Sequence, residues 1–165
     1  MENIDNIGGY SLALTCKYNE ALKKFQKELE NFPDDPIILY NIGVILQQLK
    51  RYDEAINSFE KSIAIRPMPF TLVNAGITYG IINEYRKAFN YFKKAIELDN
   101  NYTDAWFNMA VVLNKIGETE KSIEALNIVL KIDPNDIIAQ EQLLKLRKKL
   151  KRIVKNSSNN FTIKE

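Results

Sequence analysis

The sequence has no histidine and only one cysteine among its 165 residues. It also lacks a glycine-rich phosphate loop and any pair of cysteines at metal-ligand spacing, so the usual catalytic and metal-binding constellations cannot be assembled. The single cysteine, Cys16, cannot form an internal disulfide, and no feature favours an oxidising compartment. We therefore expect a protein that is not an enzyme and that holds no cofactor and no metal.

Long hydrophobic runs are absent as well. No apolar stretch reaches the roughly 18 to 20 residues that span a bilayer. The opening residues, MENIDNIGGY, lack the basic flank and apolar stretch of a secretion signal. With 45% apolar and 27% charged residues, the composition is typical of a globular domain that folds alone. These properties predict a soluble, cytoplasmic protein.

The feature that is present is an internal repeat. A small residue followed four positions later by a large apolar residue recurs at spacings of 34, 33 and 34 residues. The pairs are Ala21 and Phe25, Ala55 and Phe59, Ala88 and Phe92, and Ser122 and Leu126. A period of this size indicates stacked supersecondary units instead of one closed core.

The clearest unit, residues 36–68, shows what each copy contains. Its order is Leu39-x2-Ile42-Gly43-x2-Leu46, then Tyr52, Ala55-x3-Phe59 and Pro67. This pattern resembles the tetratricopeptide repeat, a helix-turn-helix unit of about 34 residues. Weaker copies follow at 69–102 and 103–136, and the weakest is 2–35.

The resemblance implies an all-α fold, a right-handed superhelical α-solenoid of antiparallel helix pairs. Residues 2–155 would form a single domain in which 137–155 is a capping helix, and residues 156–165 would be a mobile tail. The first helix is expected to be marginal, because Gly8 and Gly9 each cost about 1 kcal/mol relative to alanine in a helix.

Local signals agree with paired helices. Asp35 before Pro36 is typical of a helix N-cap followed by proline at the first helical position. Asn83 and Gly117 suit left-handed turns between the two helices of a unit. Small residues such as Gly43 should let helix backbones approach, with Phe59 filling the remaining space.

The resemblance also predicts a concave, mostly uncharged groove lined by the first helix of each unit. The expected groove residues are Tyr40, Asn41, Val44, Gln48, Phe70, Val73, Asn74, Ile77, Ile81, Phe107, Asn108, Val111 and Asn114. Asn41, Asn74 and Asn108 recur once per unit and are similar to the asparagine ladder of O-linked N-acetylglucosamine transferase. A side-chain amide can pair with a peptide backbone whatever its sequence. The alternative is that these asparagines only support local packing.

Some members of the family grip a peptide's terminal carboxylate with cations in the groove. The matching positions here are Asn6, Tyr10, Asn41, Phe70 and Asn74, none of which is cationic. We therefore expect no carboxylate clamp.

Residues 145–155 carry seven cations and no acid. This basic stretch is interpreted as a solvated cap that complements the helix dipole. Contact with an acidic lipid, nucleic acid or protein surface is the alternative.

The sequence thus predicts a protein-interaction adaptor that binds an extended or helical peptide segment, with no small-molecule substrate. One alternative is a self-assembling homo-oligomer. The other is tethering to an acidic surface through the basic helix.

Overall fold

A computed structural model describes the backbone of residues 17–161 and the side chains of residues 17–153. The expectations for the first helix, for Asn6 and Tyr10 and for Cys16 lie outside these residues. The described chain forms eight α-helices and no strand. The helices are α1 (Tyr18–Asn31), α2 (Pro36–Gln48), α3 (Tyr52–Ile65), α4 (Pro69–Ile81), α5 (Tyr85–Leu98), α6 (Thr103–Lys115), α7 (Thr119–Ile132) and α8 (Ile137–Phe161).

Each helix packs mainly on its neighbours in the sequence, with the largest contacts within the pairs α2–α3, α4–α5 and α6–α7. Helix α2 also touches α4, and α4 touches α6, more extensively than the second helices touch one another. The array therefore curves with the first helices of the pairs on its inner side. The predicted fold class, a superhelical α-solenoid of antiparallel helix pairs, is confirmed.

The turns inside the three complete pairs have one geometry. Lys50, Asn83 and Gly117 occupy the same place in successive units, and all three have positive φ angles, of 60°, 64° and 90°. After each, the next backbone N–H donates to a carbonyl five residues back, as from Glu84 to Tyr79 at 2.9 Å. Such bonds satisfy carbonyls that the helix end leaves unpaired. The left-handed turns predicted at Asn83 and Gly117 are confirmed, and Lys50 adopts the same conformation without a favourable side chain.

The predicted helix start at α2 is confirmed. The carboxylate of Asp35 accepts hydrogen bonds from the backbone N–H groups of Ile37 at 2.7 Å and Ile38 at 3.2 Å. Pro36 follows as the first helical residue, where its missing N–H costs nothing.

The last helix covers the open end of the array. Ala139, Leu143 and Leu146 are buried in the same core as α6 and α7. The helix continues to Phe161, so it extends past the expected boundary at residue 155 into the segment 156–165. Within the described part of the chain, no helix is long and apolar enough to span a membrane.

Candidate functional site

The inner surface is built by α2, α4 and α6, and we call it the groove. Of the predicted groove residues, Gln48, Ile81 and Val111 are exposed, and Asn41 and Val73 are buried. The others are partly exposed: Tyr40, Val44, Phe70, Asn74, Ile77, Phe107, Asn108 and Asn114. Helices α4 and α6 thus expose apolar side chains in the groove.

Two of the three ladder asparagines share one hydrogen-bonding geometry. The Nδ2 group of Asn74 donates to the carbonyl of Phe70 at 2.9 Å, and that of Asn108 donates to the carbonyl of Asp104 at 2.8 Å. Each bond reaches back four residues in the same helix and fixes the amide plane. No described residue donates to the Oδ1 atom of either amide, so both oxygens remain acceptors at equivalent places in neighbouring units.

An aromatic contact lies at the α2 side of this ladder. The rings of Tyr40 and Phe70 meet edge to face with centroids 4.7 Å apart. The Tyr40 hydroxyl lies 3.4 Å from Nδ2 of Asn74, at the long limit of a hydrogen bond. The two rings connect the inner faces of α2 and α4 and provide an amphipathic aromatic surface beside Asn74.

Between α4 and α6 the groove deepens into a depression of about 340 Å³. Its lining includes Ile77, Ile81, Asn108 and Val111 from the predicted set, together with Lys115. An exposed Ile81 (46%) beside an exposed Val111 (41%) leaves apolar surface on both sides of it. The volume falls within the range of ligand-binding clefts.

The far end of the groove is basic, which differs from the mostly uncharged groove that the sequence predicts. A second depression of about 210 Å³, between α6 and α8, is lined by Phe107, Asn114, Lys115 and other residues. Lys149 on α8 donates to Oδ1 of Asn114 at 2.9 Å. Neither Lys115 nor Lys149 forms an ion pair with a described residue. Lys149 is 35 positions from Asn114 in the sequence, and only the packing of α8 reveals that it borders the groove.

A second polar cluster lies away from the groove, where α3, α4 and α5 meet. The hydroxyls of Tyr79 and Tyr91 donate to the same oxygen, Oε1 of Glu60, at 2.8 and 2.9 Å. Their rings stack with centroids 5.3 Å apart. Burial of its ring, followed by the bond to Glu60, raises the pKa of Tyr79 to about 12, and the same causes raise the pKa of Tyr91. Both effects favour the neutral phenols.

Among the described residues, no group of three or more acidic or cysteine side chains could hold a metal ion. The acidic residues of the described chain lie mostly on its surface, where several pair with lysines three or four residues away. Such pairs are typical of solvated helices.

The sequence matches two family models, both described as tetratricopeptide repeat, over residues 36–68 and 83–146. Together these ranges include more than half of the chain. No curated protein matches the sequence.

Solved structures share the fold at low sequence identity. One is MamA (41-end) from Desulfovibrio magneticus RS-1, at 21% identity and a TM-score of 0.77, covering 98% of this chain and 94% of that chain. Another is the first repeat domain of Spaghetti (RPAP3), whose structure holds the HSP90 peptide SRMEEVD, at 23% identity and a TM-score of 0.68, covering 70% and 93%. A third is YrrB, described as having an unusual peptide-binding site, at 21% identity and a TM-score of 0.70, covering 87% and 74%.

Proposed function

This chain belongs to the tetratricopeptide repeat family, and we propose that it is a protein-interaction adaptor whose groove binds an extended or helical peptide segment. Two similar folds, Spaghetti and YrrB, are described with a peptide or a peptide-binding site, which supports the class of partner. The proposal for this chain depends on its own groove.

The observation that carries the proposal is the pair of equivalent amides beside exposed apolar surface. The Oδ1 atoms of Asn74 and Asn108 are one repeat apart, and each amide is held in place by its bond to the helix backbone. Backbone N–H groups of a bound peptide would donate to these oxygens, which requires no particular peptide sequence. Apolar side chains of the peptide would enter the depression beside Ile81 and Val111.

The two ends of the groove also differ in their chemistry. Its α2 side is aromatic, from Tyr40 and Phe70, and its α8 side carries Lys115 and Lys149. A bound segment therefore places apolar or aromatic residues near α2 and tolerates an acidic residue near α8. The clamp positions Phe70 and Asn74 lack a cation, so the peptide SRMEEVD is expected to bind this protein weakly or not at all.

The test compares one peptide on three proteins. A peptide selected on the wild-type protein from a random displayed library is titrated against the wild type and the double variant Asn74→Ala with Asn108→Ala. The loss of two hydrogen bonds should weaken binding about ten- to thirtyfold, with helicity unchanged by circular dichroism.

The matched control is Asn57→Ala with Asn90→Ala. These asparagines occupy equivalent, exposed positions on the second helices α3 and α5. The control should bind as the wild type does. Equal binding by all three proteins would leave the ladder a packing feature and refute the proposed role of the amides.

Self-assembly is the second candidate, because α8 exposes apolar side chains on its outer side. Ile137 is 69% exposed, Ile138 65% and Leu144 54%. In a longer solenoid a further repeat would bury these apolar side chains. A second copy of the chain could bury them in the same way.

A further inference from the structure

A further cavity lies outside the groove. It has a volume of about 580 Å³ and is lined by α5, α6 and α7. On α6 its lining residues include Trp106, Met109 and Leu113, whereas Phe107 and Val111 line the groove. The period of the helix places these two sets on opposite faces of α6. We call this space the outer cavity.

The same position in the preceding repeat is filled. There Tyr79 and Tyr91 stack with centroids 5.3 Å apart and donate their hydroxyls to Glu60. One repeat later, the residues equivalent to these tyrosines are Leu113 and Ala125, and both line the outer cavity. The cavity therefore opens where two phenol rings are replaced by smaller side chains.

The rim of the outer cavity carries a lysine, Lys121. Its equivalent in the preceding repeat, Lys87, contacts a tyrosine ring. Lys87 pairs with Glu84 at 3.6 Å, and its Nζ atom lies 5.2 Å from the centroid of the Tyr79 ring. The equivalent pair, Lys121 and Glu118 at 3.1 Å, lines the outer cavity. Lys121 therefore repeats the position of Lys87, but the chain itself supplies no aromatic ring beneath it.

The charge and lining of the cavity indicate what would fill it. Arg86 and Lys121 line the mostly apolar cavity together with Glu118 and Glu124. Lys121 pairs with Glu118, whereas Arg86 forms no ion pair with a described residue. In the preceding repeat the equivalent lysine lies over the Tyr79 ring while it pairs with Glu84. The same arrangement at Lys121 favours the negative face of an aromatic ring over an aliphatic group of equal size. Trp106 and Phe89 provide further ring surface for stacking.

We propose that the outer cavity binds an aromatic side chain of a partner polypeptide. The ring takes the place of the missing tyrosine, beneath Lys121 and against Leu113 and Trp106. This is a second binding site, on the face of α6 opposite the groove. A partner that occupies both sites is held on two sides of one helix.

The probe is a blocked alanine-based peptide with one central tyrosine, compared with the same peptide carrying leucine. Trp106 is the only tryptophan of the sequence, so its fluorescence reports occupancy directly. The tyrosine peptide should bind about two- to fivefold more tightly than the leucine peptide. Lys121→Ala should abolish this difference, and Asn74→Ala with Asn108→Ala should leave it unchanged, which separates this site from the groove.

A filling variant gives an independent test. Leu113→Tyr with Ala125→Tyr restores the rings of the preceding repeat and should abolish binding of the tyrosine peptide. Asn57→Tyr adds the same ring at an exposed position on α3, which lines neither the outer cavity nor the groove, and should leave this binding unchanged. Because Lys121 lies on the surface, Lys121→Ala remains informative if the filling variant does not fold.

Three outcomes would overturn the proposal. The first is equal binding of the two peptides. The second is binding of free N-acetyltyrosinamide but of no tyrosine peptide, which would indicate a small-molecule pocket. The third is a dimer in sedimentation that dissociates in the filling variant, because the occupant would then be a second copy of this chain.

Discussion

Glycine at positions 43 and 76 and alanine at 110 occupy the same place in three successive first helices. A Cβ atom on Gly43 would lie 2.6 Å from the ring of Phe59, and one on Gly76 would lie 2.6 Å from the ring of Phe92. In the next unit Leu126 replaces the phenylalanine, and alanine is accommodated with both side chains buried. The size of one residue is thus set by the residue it faces.

Substitution at this contact should be costly. Gly76→Ala forces the buried Phe92 ring from its place and should lower the free energy of unfolding by about 1–3 kcal/mol. Gly80→Ala is the matched control in the same helix, where an added Cβ meets nothing within 4 Å. It should raise stability by about 0.5–1 kcal/mol, because alanine is the better helix former. Urea denaturation measures both, and equal effects would contradict the packing argument.

Ser122 shows how the repeat accommodates a polar residue at a buried position. It stands where the other units have alanine and is 1% exposed. Its hydroxyl donates to the carbonyl of Ala110 at 2.7 Å, so burial leaves no unsatisfied donor. The repeat therefore tolerates serine there because a backbone acceptor lies within reach.

Between elements, the contact of Tyr79, Tyr91 and Glu60 joins three helices through one carboxylate oxygen. The fold holds both phenols in the neutral form, so the pKa of Tyr79 rises from 10 to about 12. The stability that this contributes is present in full below pH 10, the ordinary pKa. It is lost as the pH rises through the raised pKa of the folded state.

A spectrophotometric titration tests this contact. Part of the tyrosinate signal of the wild type should appear only near pH 12. Glu60→Gln removes the negative charge next to both hydroxyls, so this late fraction should move to lower pH. Glu97→Gln, which removes a carboxylate paired only with the exposed Lys93, should leave the titration unchanged. Identical curves for all three proteins would show that Glu60 has no influence on the phenols.

At the scale of the whole molecule, the outer side of α8 is the surface where self-assembly can be tested. Ile137, Ile138 and Leu144 leave the outer side of α8 apolar, although cations surround them. If self-assembly uses this side, light scattering should show a mass that rises with concentration. Ile138→Lys with Leu144→Lys should then keep the protein monomeric, without affecting peptide binding in the groove.

A strictly monomeric wild type at high concentration would exclude self-assembly. The control variant is Leu98→Lys, which changes another exposed leucine (50%) on α5, far along the chain from α8. It should associate as the wild type does. If it also abolishes association, the interface lies elsewhere.

The family, the helix pairs and the repeating positions follow from the sequence alone. Spacings of 33 and 34 residues can be read directly from the sequence. The cap at Asp35 and the turns at Asn83 and Gly117 are local signals, because each depends on contacts within a few residues along the chain. Most predicted groove residues could be placed on the first helices for the same reason. Their use in peptide binding remains a proposal.

Packing between the helices determines which of those side chains reach solvent and what lies next to them. Asn41 and Val73 share the helical position of groove residues but are buried, because their exposure depends on neighbouring helices. The cations beside Asn114 and the cavity left by Leu113 and Ala125 arise from packing between distant segments. A repeating pattern fixes each unit's helices, whereas the differences between units determine where open surface forms.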